Sequence, residues 1–129
     1  LTLLHEACGD NNVEIVKLLI EAGADVKAQT ISGLTPLHIA AYKQFKDIVE
    51  RLLDAKADPN VKITTEADTK GETPLHFASA TAKNDKQVIE LLLKKGADAN
   101  IKNAKGETPA DLAKDYSKDL DVIKALIEA

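Results

Sequence analysis

Apolar residues in this chain fall into repeated doublets. Ile15-Val16 is followed by Leu18-Leu19, Ile48-Val49 by Leu52-Leu53, and Val88-Ile89 by Leu91-Leu92. The spacing follows a helical turn and not the alternation of a strand. A shorter stretch of smaller residues precedes a doublet, clearest at His38-Ile39-Ala40-Ala41-Tyr42. Each block therefore predicts two short antiparallel helices: a first with small side chains, which permits close approach of neighbours, and a second with a larger apolar stripe. Thr35 suits an N-cap, because its hydroxyl can accept from a free first-turn amide. Pro36 suits the first helical position, where its missing N–H is no loss. Gly23 and Gly96 can take the left-handed conformation that ends the second helix. Lys56 holds the same slot in another block and pays about 1–2 kcal/mol if it adopts that conformation. Between blocks, the spans 26–34, 61–72 and 101–107 predict extended hairpins with Gly33, Gly71 and Gly106 at the turns.

The blocks share a signature. Thr-Pro-Leu-His stands at Thr35–His38 and Thr73–His76, with worn copies at Thr2–His5 and Thr108–Asp111. Gly23-Ala24-Asp25, Lys56-Ala57-Asp58 and Gly96-Ala97-Asp98 form a second marker in phase with the first. The period stretches by about five residues between Pro59 and Gly71 and by about two between Ala80 and Gln87. Both additions fall between elements, where extra length costs little closure entropy.

This pairing of markers resembles the ankyrin-repeat family, carried by Thr35–Ala41, Thr73–Ala78, the two Gly-Ala-Asp triplets and the Ile48-Val49 and Val88-Ile89 doublets. The resemblance covers the whole chain as about four units, 1–34, 35–72, 73–107 and 108–129. It implies an all-α solenoid of stacked helix-turn-helix units joined by β-hairpin-like loops. Glu6 stands where Ile39, Phe77 and Leu112 stand in the other units, as suits a terminal repeat. The last unit replaces the family histidine by Asp111 and is charged, so both ends are expected to act as caps. The chain has no methionine, which is compatible with a piece of a longer protein.

Composition narrows the function. Hydrophobic residues at 44% and charged residues at 29% exclude a disordered chain. With aromatics at only 3%, aliphatic side chains must do the packing. No apolar run reaches membrane-span length and no signal peptide is visible. A net charge of −4 with scattered lysines disfavours nucleic acid. His5, His38 and His76 hold one repeat position, so they lie about a repeat apart along the stack and do not converge on a metal. The resemblance implies that each hydrogen-bonds locally and ties hairpin to helix. Cys8 is the lone cysteine and aligns with Ala41 and Ser79, which predicts a small buried side chain. No nucleophile elbow or phosphate-cradling loop is present, so neither catalysis nor a cofactor is expected.

What remains is surface. The resemblance implies that hairpin tips and exposed first-helix positions line a concave face that binds a partner protein. Those positions are Ile31, Ser32 and Leu34; Thr69, Lys70 and Glu72; Ala104, Lys105 and Glu107; and, on the first helices, Gly9, Asp10, Tyr42, Lys43, Ala80, Thr81, Asp115 and Tyr116. Ile31, Leu34 and Tyr42 are expected to be exposed and adjacent, as an interface hot spot requires; the alternative is that Leu34 and Tyr42 pack on each other and on the neighbouring hairpin. Phe45 is expected to staple the loop before a second helix. The long loop 63–68 is either a second contact element or a neutral insertion. The aspartates of the Gly-Ala-Asp marker and Asn60 and Asn100 are expected to brace hairpins, although in eukaryotic members of the family this asparagine can be hydroxylated. The expectation is a monomeric, non-catalytic interaction scaffold. Its alternatives are a targeting module of a larger enzyme or effector, and a self-associating array. One cysteine and no signal suggest a cytoplasmic setting, and the lysine-rich composition is compatible with a bacterial protein acting in a host cell.

Overall fold

The computed structural model describes residues 2–65 and 68–129. Its eight helices are α1 Leu3–Gly9, α2 Val13–Glu21, α3 Pro36–Tyr42, α4 Lys46–Asp54, α5 Pro74–Ser79, α6 Lys86–Lys94, α7 Pro109–Tyr116 and α8 Leu120–Ile127. No strand occurs among the described residues. The helices pair as α1/α2, α3/α4, α5/α6 and α7/α8. First helices pack in one row, α1 on α3 on α5 on α7, and second helices in another. Each unit thus buries its face against its neighbour instead of against a central core.

The threonine signature starts every first helix. Thr2, Thr35, Thr73 and Thr108 are N-caps whose hydroxyls accept from the amide three residues on, and that third residue reaches back to the cap amide. These reciprocal bonds satisfy two otherwise orphaned donors at each start. The histidines do more than close this box. Thr35 N–H donates to His38 Nδ1 at 3.2 Å. That nitrogen is therefore unprotonated, and Nε2 donates to the Glu72 carbonyl at 3.1 Å. His5 reaches the Leu34 carbonyl at 3.0 Å and His76 the Glu107 carbonyl at 2.9 Å in the same way. Each acceptor lies just before the next N-cap threonine, so each histidine fixes its helix against the hairpin that leads into the next. Asp111 closes the series, accepting from Thr108 N–H at 3.0 Å.

Small residues fill the contact between first helices: Cys8, Ala40, Ala41, Ala78, Ser79 and Ala113 are all fully buried. Ile48, Leu52, Ile89 and Leu92 fill the layer beneath. The first unit departs from expectation. Ile15 and Leu18 of the apolar stripe are open to solvent, as is Leu3, whereas Ile48, Val88 and Val122 at the place of Ile15 are fully buried. Those residues are covered by the unit before them; among the described residues nothing occupies that side of α2. Glu6 is exposed at the same time. Phe45 is the N-cap of α4, makes no side-chain cap bond and packs half-buried against the core.

Gly23 and Gly96 do take positive φ after α2 and α6, and Lys56 takes φ 73° after α4. Three further residues, Asn11, Gln44 and Lys118, adopt positive φ between the helices of a unit, which the sequence reading did not single out. The hairpins are held by few backbone bonds, such as Thr30 N to Leu34 O at 2.9 Å and Asn103 N to Glu107 O at 2.9 Å. Neighbouring hairpins also join: Ala104 N donates to Lys70 O at 2.9 Å. Gly71 permits that approach, because a Cβ there would lie 3.0 Å from Ala104 N. The aspartates of the second marker accept from the amide two residues on, at Lys27, Asn60 and Asn100.

Candidate functional site

The concave side is built from the hairpins and the first helices. A cavity of about 520 Å³ lies across the last three units. Tyr42 from α3, Phe77 from α5 and Leu112 and Tyr116 from α7 line it together with Thr69, Glu72, Lys105 and Glu107 from the hairpins. The aromatic edge is ordered by contact. Phe77 stands edge-on to Tyr42 with ring centroids 6.3 Å apart, and edge-on to the buried His38 ring at 5.0 Å. Ala80, the residue that follows α5, forms part of the cavity wall.

Its acids are unequal. Glu72 is only 7% exposed. Asn103 Nδ2 donates to its Oε2 at 3.1 Å, and no partner meets Oε1 among the described residues. Burial raises the carboxyl above its ordinary value; the Asn103 bond works against this and the charge of Glu107 adds to it. Asn103 is the organiser of this corner. Its Nδ2 also donates to Glu107 Oε1 at 3.2 Å, and its Oδ1 accepts from the amides of Lys105 and Glu107.

The expected contact residues separate on this geometry. Tyr42, Thr69, Glu72, Lys105 and Glu107 line the cavity, as do Asp115 and Tyr116. Ile31 is 97% exposed at the first hairpin tip, and Ser32 beside it is exposed and accepts from Thr65 Oγ1 at 2.9 Å. Leu34 is half-buried, with its carbonyl held by His5 and its amide by Thr30 Oγ1. Of Ile31, Leu34 and Tyr42, only Tyr42, 50% exposed, lines the cavity, where it stands edge-on to Phe77. Glu72 is not an exposed tip residue. It sits at the hairpin base directly before the Thr73 cap, where the packing of the next hairpin covers it. Lys43 is exposed, Lys70 and Thr81 are half-buried, and none of the three lines the cavity. Glu66 and Ala67 of the long loop lie outside the described residues.

Phe77, Leu112 and Asn103 were missed as site residues. The first two carried a signal, since they occupy the position that is Glu6 in the first unit. Asn103 carried a weaker one, an Asn-x-x-Gly turn pattern at Asn103–Gly106.

The other reactive groups are committed to structure. Both ring nitrogens of each histidine are engaged. Burial pushes His38 down to about 4. Cys8 is fully buried, and desolvation pushes its thiol up to about 12. Asn60 braces the stack, donating to Gly96 O at 3.0 Å and accepting from Asp98 N at 2.8 Å. Among the described residues no three acidic, histidine or cysteine side chains converge as a metal site, and no helix is long and apolar enough to cross a membrane.

Comparison with known proteins bears on what such a surface is for. A sequence model described as three copies of ankyrin repeats matches residues 1–63, and a single-repeat model matches 70–104. A Fowlpox virus protein named for its ankyrin repeats is 37% identical over 129 residues, covering 98% of this chain and 36% of that protein. An E3 ubiquitin-protein ligase of Arabidopsis thaliana is 35% identical over 81% of this chain and 6% of its own length. The mitochondrial disaggregase of Bos taurus is 30% identical over 95% of this chain and 22% of its own length. The chain thus spans about a third of the first relative and much less of the second.

Proposed function

Because this chain belongs to the ankyrin-repeat family, whose repeats in general mediate protein–protein interaction, we propose that it is a non-catalytic scaffold that binds a partner protein on its concave face. The observation that carries this reading is the aromatic cavity. Aromatic residues make up only 3% of the chain, yet Tyr42, Phe77 and Tyr116 meet at one exposed depression. Rigid aromatic anchors at the centre of a contact surface are what concentrates binding energy. The histidines, the lone thiol and the marker aspartates are all occupied in holding the stack, which leaves side-chain recognition as its available chemistry. Among the relatives, the matching stretch is a small part of proteins named as a ligase and a disaggregase. In this reading the stack supplies a holding surface and any chemistry belongs elsewhere. It acts as a monomer, in a reducing compartment suited to a free cysteine.

The test is capture of partners by the immobilised chain, by a Tyr42→Ala/Tyr116→Ala variant, and by a Lys17→Ala/Arg51→Ala control on the second-helix side. A protein kept by the parent and the control and lost by the tyrosine variant supports the proposal. Loss from the control alone moves binding to the other side and refutes it. Sedimentation of the purified chain over a concentration series checks the monomer; growth in mass carried away by the tyrosine substitutions makes the cavity a self-association surface.

A further inference from the structure

We infer that the concave cavity receives a cationic side chain, lysine or arginine, from an extended segment of the partner. The inference rests on the concave-face reading above and adds the chemistry of what is bound. Three observations converge. The cavity is acidic: Asp68, Glu72, Glu107 and Asp115 line it, with Lys105 as the cation among the described lining residues. Its walls are aromatic, with Tyr42, Phe77 and Tyr116 lining the same space. Glu72 is more than nine-tenths buried, bonded on Oε2 by a neutral amide, and open at Oε1 to a cavity it lines.

A carboxylate in a largely buried residue, with one oxygen bonded and the other open to the cavity, gains from a cation or donor that replaces the water it has lost. That loss of water is what burial expresses in raising the Glu72 carboxyl. A guanidinium or ammonium entering the cavity meets both of its needs at once: the acid cluster supplies charge-assisted hydrogen bonds, and the rings supply cation–π attraction that strengthens as water leaves. The long alkyl stem of either residue lies along Phe77 and Leu112, as such stems do on apolar surface. At about 520 Å³ the cavity holds one such side chain with its immediate neighbours and not a folded domain. An acidic segment is disfavoured by the same charges, and a wholly apolar one would cover Glu72 Oε1 without offering it a donor.

The probes are three capped pentapeptides, Ala-Leu-Arg-Leu-Ala and its counterparts with norleucine or glutamate at the centre. Each is titrated into the isotope-labelled chain while amide shifts are followed by nuclear magnetic resonance. The arginine peptide is expected to shift the amides of Thr69, Phe77 and Tyr116, to bind roughly tenfold more tightly than the norleucine peptide, and to weaken as salt rises. Glu72→Gln keeps the shape and is expected to remove most of that preference, and Tyr42→Leu part of it. Amide spectra of the free variants report their folding. Equal binding of the arginine and norleucine peptides overturns the cation inference but leaves a concave peptide site standing. Tighter binding of the glutamate peptide overturns it outright. Absence of any shift in the cavity overturns it as well, while the capture experiment above decides the scaffold reading separately.

Discussion

Acid should unfold this protein through a histidine that cannot take up a proton in place. His38 is fully buried, with Nδ1 accepting from Thr35 and Nε2 donating to Glu72 O. A second ring proton would face the Thr35 amide, which is itself a donor. Burial holds the folded pKa at about 4, against an ordinary 6.5. Between those values the unfolded chain binds a proton that the folded chain refuses, so stability falls as pH falls. The contribution is fully present above 6.5 and is lost progressively down to about 4. At about 1.4 kcal/mol for each tenfold in proton affinity, the loss approaches about 3 kcal/mol. His76, lowered by burial, and Asp111, lowered by the Thr108 amide, act in the same direction over their own ranges. Glu72 acts oppositely: its raised carboxyl favours the fold below its unfolded value and costs stability as pH rises through its folded one. A variant isolates the histidine. Glutamine at this position reaches the same carbonyl and does not titrate. Urea unfolding followed by far-ultraviolet circular dichroism, a suitable probe for a chain without tryptophan, gives stability at points from about pH 7 to about pH 4. The parent should lose about 3 kcal/mol more than His38→Gln over that range. Parallel curves for the two proteins would refute the buried neutral ring.

Glycine at 71 and at 106 should respond differently to alanine. Both have positive φ, but a Cβ at Gly71 meets Ala104 N and the Asn103 backbone at 3.0–3.2 Å, whereas one at Gly106 meets nothing within 4 Å. Gly106→Ala should cost about 1 kcal/mol and Gly71→Ala about 3 kcal/mol or more; equal losses in urea midpoint would show that the hairpins do not depend on that close approach. Lys56→Gly relieves a left-handed lysine at φ 73° and should stabilise by about 1 kcal/mol, read as a higher melting temperature. The Cys8 thiol, fully buried and raised to about 12, should ignore a thiol reagent until urea unfolds the chain; prompt labelling of the native protein would mean that the first unit opens on its own.

The parts of this fold written in neighbouring residues were legible. A cap threonine, its proline and the residue closing the box lie within four positions, so the start of each first helix follows from local chemistry. So do the aspartates that bind an amide two residues on. What crosses between units was not legible. Gln44 binds Ala78 O and accepts from Asp85 N, and Asn103 joins two acids from different hairpins. Nothing in the sequence next to Gln44 or Asn103 names those partners, since they depend on how successive units are set against each other. The site suffered for the same reason. Glu72 reads as a surface charge beside a turn glycine, but the next hairpin closes over it. Tyr42 and Leu34 belong to adjoining repeat positions, yet the stack turns the tyrosine toward Phe77. Helical spacing likewise marked Ile15 and Leu18 as one face of a helix without saying what would cover it.

The polar ties between units are unevenly distributed, and this makes the outer seams of the stack weaker than the middle one. Between the second and third units run Gln44 to Ala78 and Asp85, Lys46 to Gln87, Asn60 to Gly96 and Asp98, Lys95 to Asp54, and Asn103 to Glu72. The first unit has Asn11 where Gln44 stands and Lys27 where Asn60 stands; among the described residues its side-chain tie forward is Ser32 to Thr65, and the third unit is tied to the fourth by Asn84 to Ser117. Pulled from its two ends, the solenoid therefore parts first at an outer seam and not between the second and third units. The middle pair, which carries the Tyr42–Phe77 contact, holds together as one block under load after an outer unit has peeled away.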